Sequence, residues 1–248
     1  MTSTPTPQGR PGPLALVGSG EYLPVMEAVE RRLLEGRAPR FVQLATAAAP
    51  EGVASLARWH RKGAESAERL GVEQVVVPVV DRVSADDDAV AGLVEGAGLV
   101  YLSGGSPPFL ADTLRGTAVW GAIERAWRGG AALAGCSAGA MALCGEVPSI
   151  RRPFKGPVPG LGAASGLTVL PHFDRFARRL PDTVLRAIST RTDGVVAVGV
   201  DDDTALVGGW RDDPEEWEVV GRQSVWLLTP DGREEHPTGS VVRLPAPG

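Results

Sequence analysis

The stretch Ala131 to Leu143, AALAGCSAGAMAL, constrains this chain more than any other. Ala131 to Gly135 are small and apolar, the composition of a strand buried on both faces. Gly135-Cys136-Ser137-Ala138-Gly139 follows, a G-x-S-x-G pattern. Ala140 to Leu143 are good helix formers. The serine is therefore expected on a strand-to-helix turn, the context a nucleophile elbow needs. So sharp a turn strains its central residue, and flanking glycines let strand and helix approach closely. Ser137 Oγ is lifted clear of the sheet. The free N–H groups of the following helix, that of Ala138 first, then face any oxyanion formed there.

The rest of the chain reads as an α/β protein. Leu14 to Gly18, Phe41 to Thr46, Gln74 to Val80 and Gly98 to Leu102 are apolar runs without polar alternation. Helical spacing separates them: Val25 to Leu34, Glu51 to Leu70 closed by Gly71, Asp86 to Glu95, then Phe109 to Arg115 and Val119 to Arg128. That alternation predicts a parallel sheet covered on both faces. Pro78 marks the Gln74 to Val80 strand as an edge or as ending there. After the elbow, Val147 to Gly166 is rich in proline and glycine and carries Arg151, Arg152 and Lys155. It reads either as a loop at a site entrance or as a plain connector. Leu167 to Leu170 is a short strand, and Arg175 to Ile188 a basic helix. Val195 to Val200, Thr204 to Gly208, Trp217 to Val220 and Val225 to Leu228 read as antiparallel hairpins at a sheet edge.

Composition excludes several function classes. A net charge of -5 with mixed signs points to neither nucleic acid nor an anionic membrane. The two cysteines, Cys136 and Cys144, share the elbow and its helix, so a disulfide is not expected and a reducing compartment fits. No apolar run approaches the length of a transmembrane helix. The start, MTSTPTPQGRPGP, has no apolar core of the signal-peptide kind. We expect a disordered tail over residues 1–12, a single domain over 13–248, and a soluble cytoplasmic protein. No cluster of His and Cys suggests zinc, and no metal or cofactor is expected. Gly18-Ser19-Gly20 is half of a dinucleotide fingerprint. It lacks the third glycine, and the second strand ends without a ribose-binding acid.

A serine hydroxyl needs a base, usually histidine. His60 lies in the polar periodicity of a long helix and His236 in a charged C-terminal turn. His172 instead follows a short apolar strand directly, at the end where open parallel sheets gather their active sites. It is the candidate base. Glu146 is the only acid between Ser137 and His172 and is the first candidate to orient the imidazole. Asp174, otherwise a helix cap, and the Asp201 to Asp203 cluster, otherwise a hairpin turn, are the alternatives. Gly104-Gly105 ends the fourth strand, where backbone N–H groups can complete an oxyanion hole, or simply turn the chain into a helix begun by Pro107 and Pro108.

Taken together, GSGE, LSGGSP, GCSAGAMAL, GLTVLPHFDR and AVGVDDDTALVGG resemble the dipeptidase E and cyanophycinase family of serine peptidases. Its fold is similar to that of class I glutamine amidotransferases. The resemblance spans about Leu14 to Val220. It implies a three-layer α/β/α sandwich with a mostly parallel central sheet. It implies Ser137 as nucleophile, His172 as base, and an oxyanion hole from the Gly105 and Ala138 N–H groups. In two places the chain departs from the family. Dipeptidase E has an acid downstream of the serine where this chain reads Ile150-Arg151-Arg152-Pro153. Cyanophycinases have a glutamine where Ser106 stands, so cyanophycin is not the expected substrate.

The expected function is hydrolysis of a small peptide or amide, with Arg175 and Arg178 (and Arg179 beside them) placed to hold a substrate carboxylate. No nucleic acid or membrane partner is expected, and a homodimer is left open. The alternative is a non-catalytic binding protein of the same fold that has lost the triad acid. Glutamine amidotransfer would need a cysteine at the elbow centre. Cys136 stands one position early, where its side chain should point into the packing beneath the turn.

Overall fold

The structure, a computed structural model, describes residues 10–148, 156–176, 194–210, 212–229 and 231–248. Residues 1–9, most of the basic segment after Phe176, and Arg151, Arg152 and Lys155 lie outside the described residues. The first half runs β1 (Leu14–Val17), α1 (Glu27–Leu34), β2 (Arg40–Leu44), α2 (Val53–Leu70) and β3 (Glu73–Val76). It continues with α3 (Arg82–Ala85), α4 (Asp88–Gly92), β4 (Leu99–Leu102), α5 (Pro107–Leu114) and α6 (Ala118–Arg128). The elbow strand β5 (Ala132–Cys136) leads into α7 (Ala138–Leu143), β6 (Glu146–Val147), β7 (Val158–Pro159), β8 (Leu167–Pro171) and α8 (Phe173–Phe176). Six strands finish the chain: β9 (Val196–Val200), β10 (Thr204–Gly208), β11 (Glu216–Gly221), β12 (Ser224–Thr229), β13 (Gly232–Pro237) and β14 (Val241–Arg243).

The main sheet has the order β14-β11-β10-β1-β5-β4-β2-β3. From β1 to β3 every pairing is parallel; β10, β11 and β14 add an antiparallel edge. The apolar strands bury both faces because successive side chains alternate between them. Leu14 and Leu16 join one core, Ala15 and Val17 the other; Val100 and Leu102 likewise oppose Leu99 and Tyr101. α5 and α6 cover the first face with Leu110, Leu114, Ile123 and Trp127, and α7 packs there through Met141 and Leu143. α1 and α2 cover the second with Val29, Leu33, Ala67 and Leu70. This is the α/β/α sandwich expected. Each fully buried leucine of these cores contributes about 1.5–3 kcal/mol.

Local chemistry sets the boundaries. Gly71 closes α2 in the left-handed conformation at φ 71°. Of the helix expected over Asp86 to Glu95 only α4 (Asp88–Gly92) forms, and a separate short helix, α3 (Arg82–Ala85), precedes it. Asp81 and Ser84 form a capping box on α3, and Asp87 Oδ1 accepts the Ala89 and Val90 N–H groups to start α4. Each aspartate competes for backbone N–H groups and restarts the helix. β3 ends at Val76, two residues before Pro78.

The C-terminal strands divide where an edge of hairpins was expected. β10, β11 and β14 do extend the main sheet. β9, β12 and β13 instead form a second sheet, order β13-β12-β9-β8, in which β8 and β9 are parallel. In the segment after the elbow, β6 pairs with β7.

Candidate active site

All parallel strands of the main sheet end on one side, and the site gathers there. The elbow is as tight as its glycines imply. A Cβ on Gly135 would lie 2.5 Å from the Gly139 carbonyl carbon, and one on Gly139 would lie 2.2 Å from the Leu102 oxygen. Ser137 sits at φ 50°, ψ -105°, a strained setting for a serine. The Ser137 N–H donates to the Val17 carbonyl at 2.9 Å, and its own carbonyl accepts from the Met141 N–H at 3.1 Å. The serine is thus fastened to β1 behind it and to α7 ahead.

The second sheet supplies the partners. β8 and β9 lie side by side with Pro171 opposite Val200. His172 is the next residue after Pro171, and Asp202 the second after Val200, so the two emerge together. His172, at φ 52°, turns its ring toward the elbow. Ser137 Oγ and His172 Nε2 are 3.0 Å apart, and Asp202 Oδ1 lies 2.7 Å from His172 Nδ1. The Asp202 side chain is 6% exposed against 29% for the imidazole. Asp202 is itself held: its N–H donates to Asp174 Oδ1 at 3.1 Å and its carbonyl accepts from Gln223 Nε2 at 2.8 Å. Arg175 Nε forms an ion pair with the other oxygen, Oδ2.

The carboxylate at His172 Nδ1 is therefore Asp202 and not Glu146. Six residues of α7 carry the chain about 9 Å away from Ser137 before Glu146 is reached, at 1.5 Å per residue. Glu146 there begins β6, opposite Pro159. Asp174 serves the Asp202 backbone. Arg175 is engaged with Asp202, and Arg178 and Arg179 lie outside the described residues. His60 remains on α2 and His236 on β13, where it faces Glu234 at 3.4 Å. A signal for Asp202 was present in the sequence: like His172, it lies within two residues of the end of a buried apolar strand. Nothing local says that those two strands are neighbours.

Cys136 is fully buried beneath the turn, and its thiol donates to Glu21 Oε2 at 2.8 Å. Burial, with Glu21 beside it, pushes that thiol far above its ordinary range. It is no nucleophile there, since the thiolate is the reactive form.

Two backbone donors flank the serine. Ala138 opens α7, and a first-turn N–H has no partner inside its own helix. Gly105 lies at φ 143°, with its α-carbon pressed on the Ala47 peptide; a Cβ there would come 2.3 Å from the Ala47 oxygen. The Ser106 N–H donates to that same oxygen at 2.7 Å, and the Gly104 N–H donates to Glu21 at 3.2 Å. Among the described residues the Gly105 N–H has no acceptor. A Cβ on Gly104 would stand 3.7 Å from Ser137 Cβ, so this turn borders the serine.

The glycines after β1 have a packing role. A Cβ on Gly18 would meet the Asp201 oxygen at 2.1 Å, and one on Gly20 would meet Asp203 Oδ1 at 2.3 Å. They admit the Asp201 to Asp203 loop, and with it the acid, to the strand ends. Among the described residues no group of three or more His, Cys, Asp or Glu is placed to hold a metal ion, and no helix is long and apolar enough to cross a membrane.

Residues 16–209 match the model of peptidase family S51. The chain belongs to this family. A solved structure of a peptidase from an acI-B1 actinobacterium is 37% identical, covers 95% of this chain and 98% of its own, and superposes with a TM-score of 0.86. A putative peptidase E protein from Listeria monocytogenes EGD-e is 17% identical over 86% of this chain and 98% of its own; its TM-score of 0.57 shows a shared fold. A search of curated proteins finds no match. Membership of S51 agrees with the family resemblance carried by the GCSAGAMAL and PHFD motifs.

Proposed function

We propose that this S51 member is a serine peptidase acting on a short peptide or amide, with Ser137 as nucleophile, His172 as general base and Asp202 as the acid that orients it. The observation that carries this reading is the unbroken line Ser137 Oγ, His172 Nε2, His172 Nδ1, Asp202 Oδ1, with links of 3.0 and 2.7 Å. Asp202 holds the imidazole in the tautomer whose Nδ1 carries the proton and leaves Nε2 free to accept one. Ser137 Oγ attacks the substrate carbonyl as its proton passes to Nε2. The carbonyl oxygen takes up the negative charge and is received by the Gly105 and Ala138 N–H groups, each such donor typically worth about 3 kcal/mol. His172 then returns the proton to the leaving amine, and water releases the acyl group by the same steps. The non-catalytic alternative drew its support from a missing acid, and Asp202 weighs against it.

A fluorophosphonate probe tests the reading. The wild type is expected to be labelled at Ser137, and Ser137→Ala, which removes one hydroxyl and keeps a small residue at the turn, is expected to fold and remain unlabelled. A folded wild type that does not react, or a Ser137→Ala variant that still cleaves a substrate of the wild type, would overturn it.

A further inference from the structure

Glu21 follows the glycine turn after β1 and is 6% exposed, a buried acid that the reaction steps above do not use. Its two oxygens reach two different parts of the site. Oε1 accepts the Gly104 N–H at 3.2 Å, and Oε2 accepts the Cys136 thiol at 2.8 Å. Gly104 precedes one oxyanion donor, Gly105. Cys136 precedes the nucleophile, and the other donor, Ala138, comes just after it. One carboxyl group thereby ties the end of β4 to the end of β5.

We propose that Glu21 is the positioning residue of the oxyanion site. The inference rests on the reading of Ser137 as nucleophile and adds to it a residue that never touches substrate. Two adjacent glycines make a soft turn, whose peptide planes can rotate at little steric cost. By taking the Gly104 N–H, Glu21 fixes the first of those planes. The Gly105 N–H is then the one left to point at the reacting carbonyl. An oxyanion donor works because it is already in place when charge develops. A misplacement of about 1 Å can cost on the order of a hundredfold in rate.

Glu21→Met keeps the side chain's bulk and removes both acceptors. It is expected to lower kcat about 10- to 100-fold on a short peptide or ester with KM within about threefold, since the loss falls on the transition state. Glu21→Gln, whose amide oxygen still accepts the Gly104 N–H, is expected to restore most of that activity. A buried residue of purely structural importance would show neither the split between kcat and KM nor the rescue. Amide hydrogen exchange reads the clamp without any catalysis: the Gly104 amide is protected in the wild type and in Glu21→Gln and loses protection in Glu21→Met. A folded Glu21→Met variant with wild-type kcat overturns the proposal. So does rapid exchange of the Gly104 amide in the wild type itself, a result that does not depend on any variant folding. If the wild type fails to react with the fluorophosphonate, the serine reading falls, and the exchange measurement still decides whether Glu21 holds the turn.

Discussion

Asp202 Oδ1 meets His172 Nδ1 at 2.7 Å because β8 and β9 lie parallel and in register, with Pro171 beside Val200. The acid is thus delivered by the second sheet, and the serine by the first. Asp202→Asn keeps the size of the side chain and removes the charge that, in the proposed mechanism, stabilises the imidazolium. It is expected to lower kcat by up to about 10⁴-fold with little change in KM. Glu146→Gln is expected to stay within about threefold of the wild type, an order-of-magnitude allowance for a charge outside the site. Steady-state kinetics of the two variants on one substrate checks both. Strong loss in Glu146→Gln with none in Asp202→Asn would reverse the assignment.

How much of this was legible in the sequence depends on how local each signal is. The elbow was, because a buried strand, G-x-S-x-G and a helix occupy adjacent residues and each constrains the next. The place of His172 at a strand end was, because the apolar run before it is local; that this strand belongs to the second sheet was not. Asp202 stood in view only as an alternative. Its partnership with His172 requires that Leu167–Pro171 and Val196–Val200 pair, and no local pattern encodes which strands are neighbours. Glu146 was favoured by its position in sequence between serine and histidine, a measure that ignores the direction in which α7 carries the chain. The division of the last strands between two sheets was hidden for a related reason. Val198 and Val219 are equally apolar, and only the tertiary fold sends one to each sheet. Gly18 and Gly20 looked like half a nucleotide motif, yet the loop they accommodate comes from far along the chain.

Arg175 separates two roles cleanly. It was expected to hold a substrate carboxylate, and in the structure it pairs with Asp202 Oδ2 while 72% exposed. An exposed arginine contributes little to an ion pair, about 0–1 kcal/mol. If its effect passes through Asp202, Arg175→Ala lowers kcat by at most about fivefold and leaves KM alone. A substrate-binding role would instead raise KM for substrates with a free carboxylate and spare those in which that group is amidated. Kinetics on such a pair of substrates distinguishes the two, and a selective rise in KM would return Arg175 to the substrate.

Gly105 is expected to tolerate no side chain. Its φ of 143° is one that residues with a Cβ rarely adopt, and the added carbon would lie 2.3 Å from the Ala47 oxygen and 2.4 Å from the Ala47 carbonyl carbon. Backbone atoms cannot swing aside as a flexible side chain can, so the turn itself must move. Gly105→Ala is expected to displace one oxyanion donor and lower kcat about 10²- to 10³-fold. It should also lower stability by about 1–3 kcal/mol through backbone strain. Gly116→Ala is the control. It has a positive φ of 69° but open space around it, so it carries the strain of its turn without reaching the site. Activity in Gly105→Ala equal to that of the control would remove Gly105 from the oxyanion site.

The last prediction concerns Glu30, on α1, which is 1% exposed. Its Oε1 accepts the Tyr22 N–H at 2.9 Å, and its Oε2 lies 2.6 Å from Ser66 Oγ on α2. Burial pushes this carboxyl from 4.5 up to about 7, against the opposing pull of the bonds from Ser66 and Tyr22 and the charge of Arg69. The folded state therefore holds a proton that the unfolded chain releases near 4.5. Its contribution to stability is complete below that value and is lost as pH rises from about 4.5 through about 7. At the limit this loss is on the order of 3 kcal/mol. Glu30→Gln cannot titrate. Its amide oxygen can still accept the Tyr22 N–H, and its amide nitrogen can donate to Ser66 Oγ. The stability of Glu30→Gln relative to the wild type is accordingly expected to rise by about 1–3 kcal/mol between pH 5 and pH 8. Urea denaturation of both proteins across that range measures it, and the other titrating groups cancel in the difference. A difference that stays flat, or that falls as pH rises, would show that Glu30 is ionised within the fold at acid pH and that burial does not govern its proton.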